Sequence, residues 1–291
     1  MSSRRPVPTI RLRRLAAELR KLRKDAGLTR DEVTARTALN PATLWRIETA
    51  KTRPQARTLR TLLELYGASE ERCAELAALL RESARRGWVH AVASGLRENH
   101  VSYIEFEGSA TRVSNYESSL VPGLLQTEEY ARAAIAGIRP EITEAEVDHR
   151  VGVRMRRQEV LTASDPLELR AVLDEAVLRR RVGGAELMSR QAEHLLEASS
   201  LRNVTLQVVP FTAGAHPGMA GAFVVMEFPE DAGSGVAYVD GQGGDAFLEE
   251  EADVQRCQQL FDRLRAMALS PRASAALITR AVREFRKERT P

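Results

Sequence analysis

Leu12, Leu15, Leu19 and Leu22 recur at three- and four-residue spacing, the period that lines one face of a helix, so residues 11–25 are expected to form an amphipathic α-helix. Ala26-Gly27 ends it, glycine being suited to a left-handed cap. Thr29 caps a short helix reaching about Arg36, with Asp31 and Glu32 favourably placed in its first turn. Asn40 caps the next helix, which ends near Thr49. Pro41 takes its first position, where a missing N–H costs nothing. Leu59, Leu62, Leu63 and Leu65 mark a fourth helix stopped by Gly67. Ser69 caps a fifth that carries Leu76, Leu79 and Leu80 and runs on toward Trp88. Five short helices with tight links predict a compact all-α domain over residues 10–90.

The pattern changes near residue 95. Tyr103–Phe106, Ala171–Leu173, Val204–Phe211, Phe223–Phe228 and Val236–Val239 are short apolar, β-branched or aromatic runs bounded by Gly, Pro or Asn, and they read as strands. Helical stretches fall near 127–137, 143–162, 175–199 and 250–269. The expectation is a multidomain chain. An α+β, or mixed α/β, domain over residues 95–270 follows the helical one, and an amphipathic basic helix closes the chain over 271–291.

Charge separates the two parts. Residues 1–90 hold 20 basic and 10 acidic side chains, net +10, and the remainder hold 23 and 30, net −7. A basic unit joined to an acidic one points to a polyanion at one end only. No apolar run approaches the ~18 residues that span a bilayer, so no membrane association is expected. The basic N-terminus lacks an apolar stretch behind it and does not read as a secretory signal. Cys73 and Cys257 lie far apart in apolar, helical contexts. That argues against a disulfide framework and for a reducing, cytoplasmic setting.

The stretch from Leu28 through Val33 and on through Leu39-Asn40-Pro41-Ala42-Thr43-Leu44-Trp45-Arg46-Ile47-Glu48 resembles the helix-turn-helix of the Xre/lambda-repressor-like family, over about residues 11–67. Val33, Leu44 and Ile47 stand where that family buries apolar residues, and Arg23 and Glu48 match its structural ion pair. Ala50 departs from the family's usual glycine, which implies an adjusted or strained turn. The resemblance implies binding to double-stranded DNA. A recognition helix in the major groove presents its first turn, and the position one turn on, to base edges. Its N-terminus also offers free N–H groups and a positive dipole end to a phosphate. The base-facing positions here are Pro41, Ala42, Thr43 and Arg46, with Asn40 at the cap. Arg46 can donate two hydrogen bonds to guanine, Ala42 can touch a thymine methyl, and Thr43 can reach a base or a phosphate. Arg30, Lys51 and Arg53 suit the DNA backbone. Trp45 either contacts DNA or lies flat on the domain surface or against another protein.

Val121–Arg132, Arg157-Gln158, Leu173–Arg179, Val208-Val209-Pro210 and His216-Pro217-Gly218 resemble, in order, an uncharacterised domain. It follows such helix-turn-helix domains in actinobacterial regulators, including WhiJ-like and antitoxin-like members. This implies a transcriptional regulator, often encoded beside a small partner protein. Two functions follow. In one, the second domain binds a small-molecule or peptide ligand. In the other, the chain is an antitoxin-like interaction protein that neutralises, or is controlled by, a small partner and binds its own promoter. A homodimer on half-sites about 34 Å apart, or a multiple of that, is expected in either case.

Enzyme chemistry finds little footing, and neither a cofactor nor a metal is expected. His90, His100, His149, His194 and His216 lack metal-ligand spacing, and no Gly-rich phosphate loop is present. Asp174-Glu175 is either a carboxylate pair or the cap of the following helix. Glu175 and His216, in the loop Thr212–Gly218, are the candidates for a ligand or partner pocket, the loop's alternative being a plain turn between strands.

Overall fold

The computed structural model describes residues 10–83, 88–229, 235–241 and 244–288. The chain divides into two compact units, one of residues 1–109 with 228–234 and the other of residues 110–227 with 235–291.

The first unit is all helical. Helices α1 (Ile10–Asp25), α2 (Arg30–Thr37), α3 (Pro41–Glu48), α4 (Ala56–Leu65) and α5 (Glu70–Glu82) enclose one core. Leu15, Leu19, Val33, Leu44, Ile47, Leu59, Leu62, Leu63, Leu76 and Leu80 fill it, the same periodic positions that announce the helices. The caps follow the sequence: Thr29, Asn40 and Ser69 each accept a backbone N–H in the first turn that they begin. The expected run of the fifth helix toward Trp88 crosses residues 84–87, which lie outside the described residues. A separate turn, α6 (Trp88–Ala91), follows it, then α7 (Glu98–Glu107).

Helix α7 corrects one expectation, for Tyr103–Phe106 is helical rather than extended. Val101, Tyr103, Ile104 and Phe106 are all buried, so the helix is apolar around most of its circumference. A short apolar run of that kind carries no period to separate helix from strand. Phe106 packs on Phe228 with ring centroids 5.9 Å apart, and the Arg13 guanidinium lies 5.0 Å from the Phe106 centroid.

The second unit is a six-stranded mixed sheet in the order β3-β2-β1-β4-β5-β6. Its strands are β1 (Arg112–Glu117), β2 (Glu168–Asp174), β3 (Val204–Val209), β4 (Phe223–Glu227), β5 (Val236–Val239) and β6 (Ala246–Leu248). The first three run parallel, with Tyr116 opposite Val172 and Val172 opposite Gln207, and β4, β5 and β6 continue antiparallel. Between β1 and β2 lie α8 (Glu128–Ile138) and α9 (Glu144–Arg157). Between β2 and β3 lie α10 (Glu175–Arg179) and α11 (Ala185–Ala198). The expected continuous helix over 175–199 breaks at Arg180, which is extended, and Gly183 and Gly184 follow at φ of +69° and +96°, values that lie outside the right-handed helix.

Helices α12 (Glu251–Met267) and α13 (Pro271–Lys287) follow β6. Val254, Cys257, Phe261 and Leu264 of α12 pack on Tyr116, Val172, Phe223 and Val225. Helix α13 is part of this unit rather than a tail, since it buries Leu277, Ile278, Ala281, Val282 and Phe285. The turn into it also closes the sheet edge. Ser274 Oγ accepts from Val208 N at 3.0 Å, and Leu269 N donates to Val208 O at 2.9 Å. An edge strand covered in this way cannot recruit a further strand. No helix among the described residues is long and apolar enough to cross a membrane.

Candidate functional site

Helix α3 has two sides. Leu44, Ile47 and Glu48 are buried, Pro41, Ala42 and Trp45 are exposed, and Thr43 and Arg46 lie between. Asn40 fixes the helix start: its Oδ1 accepts from Ala42 N at 2.9 Å, and its carbonyl accepts from Thr43 N and Leu44 N. The free N–H groups expected there for a phosphate are therefore already bonded, because Pro41 has none and Asn40 takes the next three. What remains is the positive dipole end. Arg46 leans back along the helix, with Nη2 donating to Thr43 Oγ1 at 3.2 Å.

The helix ends in a Schellman turn. Ala50 N donates to Ile47 O at 3.1 Å and Lys51 N to Arg46 O at 2.8 Å, with Ala50 at φ +57°. The departure from glycine is thus accommodated in the left-handed region itself. Just beyond, Lys51 Nζ sits 4.3 Å from the Trp45 ring centroid, a cation–π contact on the exposed side of the helix.

Beneath this surface, Glu48 is fully buried and answered by two guanidinium groups. Arg23 Nε lies 2.5 Å from Oε1 and Arg30 Nε 2.8 Å from Oε2, while Arg23 Nη1 donates to Leu28 O. One carboxylate thus ties α1, α2 and α3 together. Arg53, though exposed, is tied to the end of α5, donating to Leu80 O at 2.8 Å and to Ser83 Oγ, just past the helix, at 3.2 Å. The structure therefore gathers Pro41, Ala42, Thr43, Trp45, Arg46 and Lys51 on one surface. It uses Asn40, Arg30 and Arg53 largely to hold that surface in shape. The roles of Arg30 and Arg53 had no signal in the sequence beyond their charge.

In the second unit, the carboxyl ends of β1 and β2 gather polar side chains. Asp174 Oδ1 caps α10 by accepting from Ala176 N, and its Oδ2 lies 3.1 Å from His216 Nε2. Glu175 accepts from Arg179 through Oε1 and from Phe211 N through Oε2 at 2.9 Å. Consecutive carboxylates thus pin the loop over residues 210–221 at two points, Glu175 at Phe211 and Asp174 at His216. Gly218 lies against Tyr116 so closely that a Cβ there would meet the ring at 2.3 Å. Tyr116 Oη and His216 Nδ1 are buried with no hydrogen-bond partner among the described residues. Burial, then the nearby Asp174, pushes the Tyr116 hydroxyl above its ordinary range, so it stays a donor.

Glu117 ends β1. Burial pushes its carboxyl up to about 7, against the hydrogen bond from Asn115 and the charge of Arg154, and Asp240 adds to the rise. Nearby, residues 121–126 are clasped by three glutamines. Gln126 Nε2 donates to Val121 O, Gln158 Nε2 to the carbonyls of Gly123 and Gln126, and Gln191 Nε2 to Leu125 O. Arg154 Nη1 donates to Gln126 Oε1. The ordered segments of the sequence are therefore, in good part, a buried amide clasp around one loop.

Comparison with known families agrees with this division. A helix-turn-helix domain matches residues 14–76, and a domain of unknown function (DUF5753) matches residues 101–280. No curated protein and no solved structure matches the chain.

Proposed function

The chain belongs to the family defined by the domain of unknown function DUF5753, and since a helix-turn-helix domain precedes that domain, we propose that it is a sequence-specific transcriptional regulator reading DNA with α3. The observation that carries this reading is the division of α3, with Leu44, Ile47 and Glu48 held inside and Pro41, Ala42, Thr43 and Arg46 along the outer side. Arg46 reads guanine, Ala42 meets a thymine methyl, and Thr43 reaches a base or phosphate. Lys51 and the remaining donors of Arg30 face the backbone, where contacts position the protein without specifying sequence. The chain acts as a homodimer at the nucleoid and performs no catalysis, for Asp174 and Glu175 serve as cap and loop anchor. Selection of duplexes by the full chain from a random pool should enrich one short motif as an inverted repeat. A recovered pool with no sequence preference would overturn the reading.

The second unit is the effector domain. Its unpartnered Tyr116 hydroxyl and His216 Nδ1 lie at the carboxyl ends of parallel strands, where open α/β sheets take their ligands. A second reading rests on a different observation. Phe211 is 58% and Met219 70% exposed on the pinned loop, which suits a protein partner. That fits an Xre-type regulator of the WhiJ-like, antitoxin-like kind, with a small partner encoded nearby. Co-expression with such a neighbour separates the two. Co-elution lost in Phe211→Asp favours the partner, and a small molecule released on denaturing the purified chain favours the ligand.

A further inference from the structure

Helices α4 and α5 leave between them a cleft of about 720 Å³. Its floor is apolar, made by Leu59 and Leu63 of α4 and Leu80 of α5. Its rim is cationic: Arg53, Arg60 and Arg81 line it, and no carboxylate does so among the described residues. Arg60 and Arg81 have no ion-pair partner among the described residues, and both are exposed at the cleft. The volume lies within the ~300–1,000 Å³ of small-molecule sites, which combine an apolar lining with a few placed polar groups. An apolar floor under three guanidinium groups fits an apolar body that carries one negative charge, since guanidinium forks pair with carboxylate or sulfonate oxygens.

We propose that this cleft is a binding site for a small amphipathic anion, and that its occupancy is transmitted to α3 through Arg53. Arg53 stands three residues beyond the turn that ends α3 and bridges to Leu80 O and Ser83 Oγ, so it joins the recognition helix to the far wall of the cleft. An anion on the rim competes for that guanidinium and loosens the link. The effect on DNA then depends on the anion's different affinity for the linked and unlinked forms, and it is reciprocal. This inference is independent of any effector in the second unit.

The fluorescent anion 8-anilinonaphthalene-1-sulfonate and its uncharged parent, N-phenyl-1-naphthylamine, supply the test on the full chain. Cys73 lines the same cleft, whereas Cys257 is buried, so alkylation of Cys73 reports occupancy directly. The anion should protect Cys73 at least fivefold, and the double variant Arg60→Ala/Arg81→Ala should weaken that protection tenfold or more. The uncharged parent should be little affected by the same variant. Saturating anion should lower affinity for duplex DNA several-fold at fixed salt, and DNA should weaken the anion by the same factor. Filling the cleft with Ala77→Phe should abolish protection; circular dichroism checks its fold, and the double Arg variant decides if that fold is lost. Absence of Cys73 protection, or equal protection by the uncharged parent, overturns the site. Unchanged DNA affinity in the anion-loaded chain overturns the coupling.

Discussion

The two units hold an inward carboxylate in opposite ways. In the helical unit, Glu48 is fully buried and met by the guanidinium groups of Arg23 and Arg30, so its charge is answered on both oxygens. In the sheet unit, Glu117 is held so that its carboxyl titrates near 7. Among the described residues, unanswered buried atoms occur in both units, Tyr116 Oη and His216 Nδ1 in this one and Tyr66 Oη and Arg46 Nε in the helical one. Buried polar atoms in native proteins are nearly always paired, so an answered group reads as structure and an unanswered one asks for an explanation. The comparison therefore makes Glu48 a structural anchor of the helix-turn-helix. It makes Glu117, at the end of β1, a group whose charge changes near neutral pH.

The strongest way to break that contrast is to remove the answered charge. Glu48→Ala leaves Arg23, itself buried, without its carboxylate, and unpairing a buried ion pair costs about 3–5 kcal/mol. The helical unit should unfold at markedly lower denaturant while the sheet unit keeps its own transition. A double-mutant cycle with Arg23→Ala should show coupling. Additive losses in that cycle would remove the scaffold role assigned to Glu48.

The second effect lies on the outer side of the same helix. Arg46→Ala removes a side chain whose only hydrogen bond among the described residues is to Thr43 Oγ1, so stability should change little. Specific DNA affinity should fall by about 1–3 kcal/mol, roughly 10- to 100-fold, with non-specific affinity nearly kept. Titration of the selected duplex at matched salt measures this. An equal loss on random duplex would reassign Arg46 to the phosphate backbone.

For the sheet unit the lever is pH. The folded-state carboxyl of Glu117 titrates near 7, above the ordinary glutamate value of 4.5 that the unfolded chain has. The native state therefore holds this proton over a window in which the unfolded chain has lost it. Stability from this group is complete below pH ~4.5 and is lost as pH rises through 7, by about 3 kcal/mol. Glu117→Gln should match the parent near pH 5 and exceed it at pH 7.5 in denaturant midpoint of the sheet unit. Parallel profiles for the two proteins would mean that Glu117 is not held in this way.

How far these features are legible in the sequence also differs between the units. Thr29, Asn40 and Ser69 reveal three helix starts because a cap acts on its own next turn, and Arg23 with Glu48 is visible through the family pattern. The bonding of Arg30 to Glu48 and of Arg53 to the end of α5 is not, since both partners come from segments distant in sequence. In the sheet unit, β1 escapes a reading by apolar runs because it buries Ser114 and Asn115 among its neighbours. Strand β6 is three residues long, with Ala246 exposed and Phe247 and Leu248 half-buried, too short to show alternation. Gly183-Gly184 does signal the break between α10 and α11, and the apolar period on either side masks it. His216 and Glu175 are visible as loop and strand-end residues, whereas Tyr116 becomes a site residue only when Gly218 is folded against it.

The smallest effect sharpens the scaffold side of the comparison, in the two alanines that the helix-turn-helix holds at positive φ. Ala38 ends α2 at φ +56° and Ala50 follows α3 at φ +57°. Left-handed backbone costs a residue with a Cβ about 1–2 kcal/mol, and glycine removes that cost. Glycine also frees the unfolded chain, which offsets about 0.4–1 kcal/mol of the gain. Ala38 is exposed and gives up no packing, so Ala38→Gly should stabilise the helical unit by about 0.5 kcal/mol. Ala50 is only 4% exposed, and its methyl contributes about 0.8 kcal/mol of burial that Ala50→Gly forfeits. The second substitution should therefore leave stability unchanged or slightly lower, although it restores the residue usual in related turns. Denaturant unfolding of the two variants side by side resolves the difference. If Ala50→Gly proves the more stabilising, backbone strain outweighs packing at the end of the recognition helix, and the methyl of Ala50 contributes little to the core.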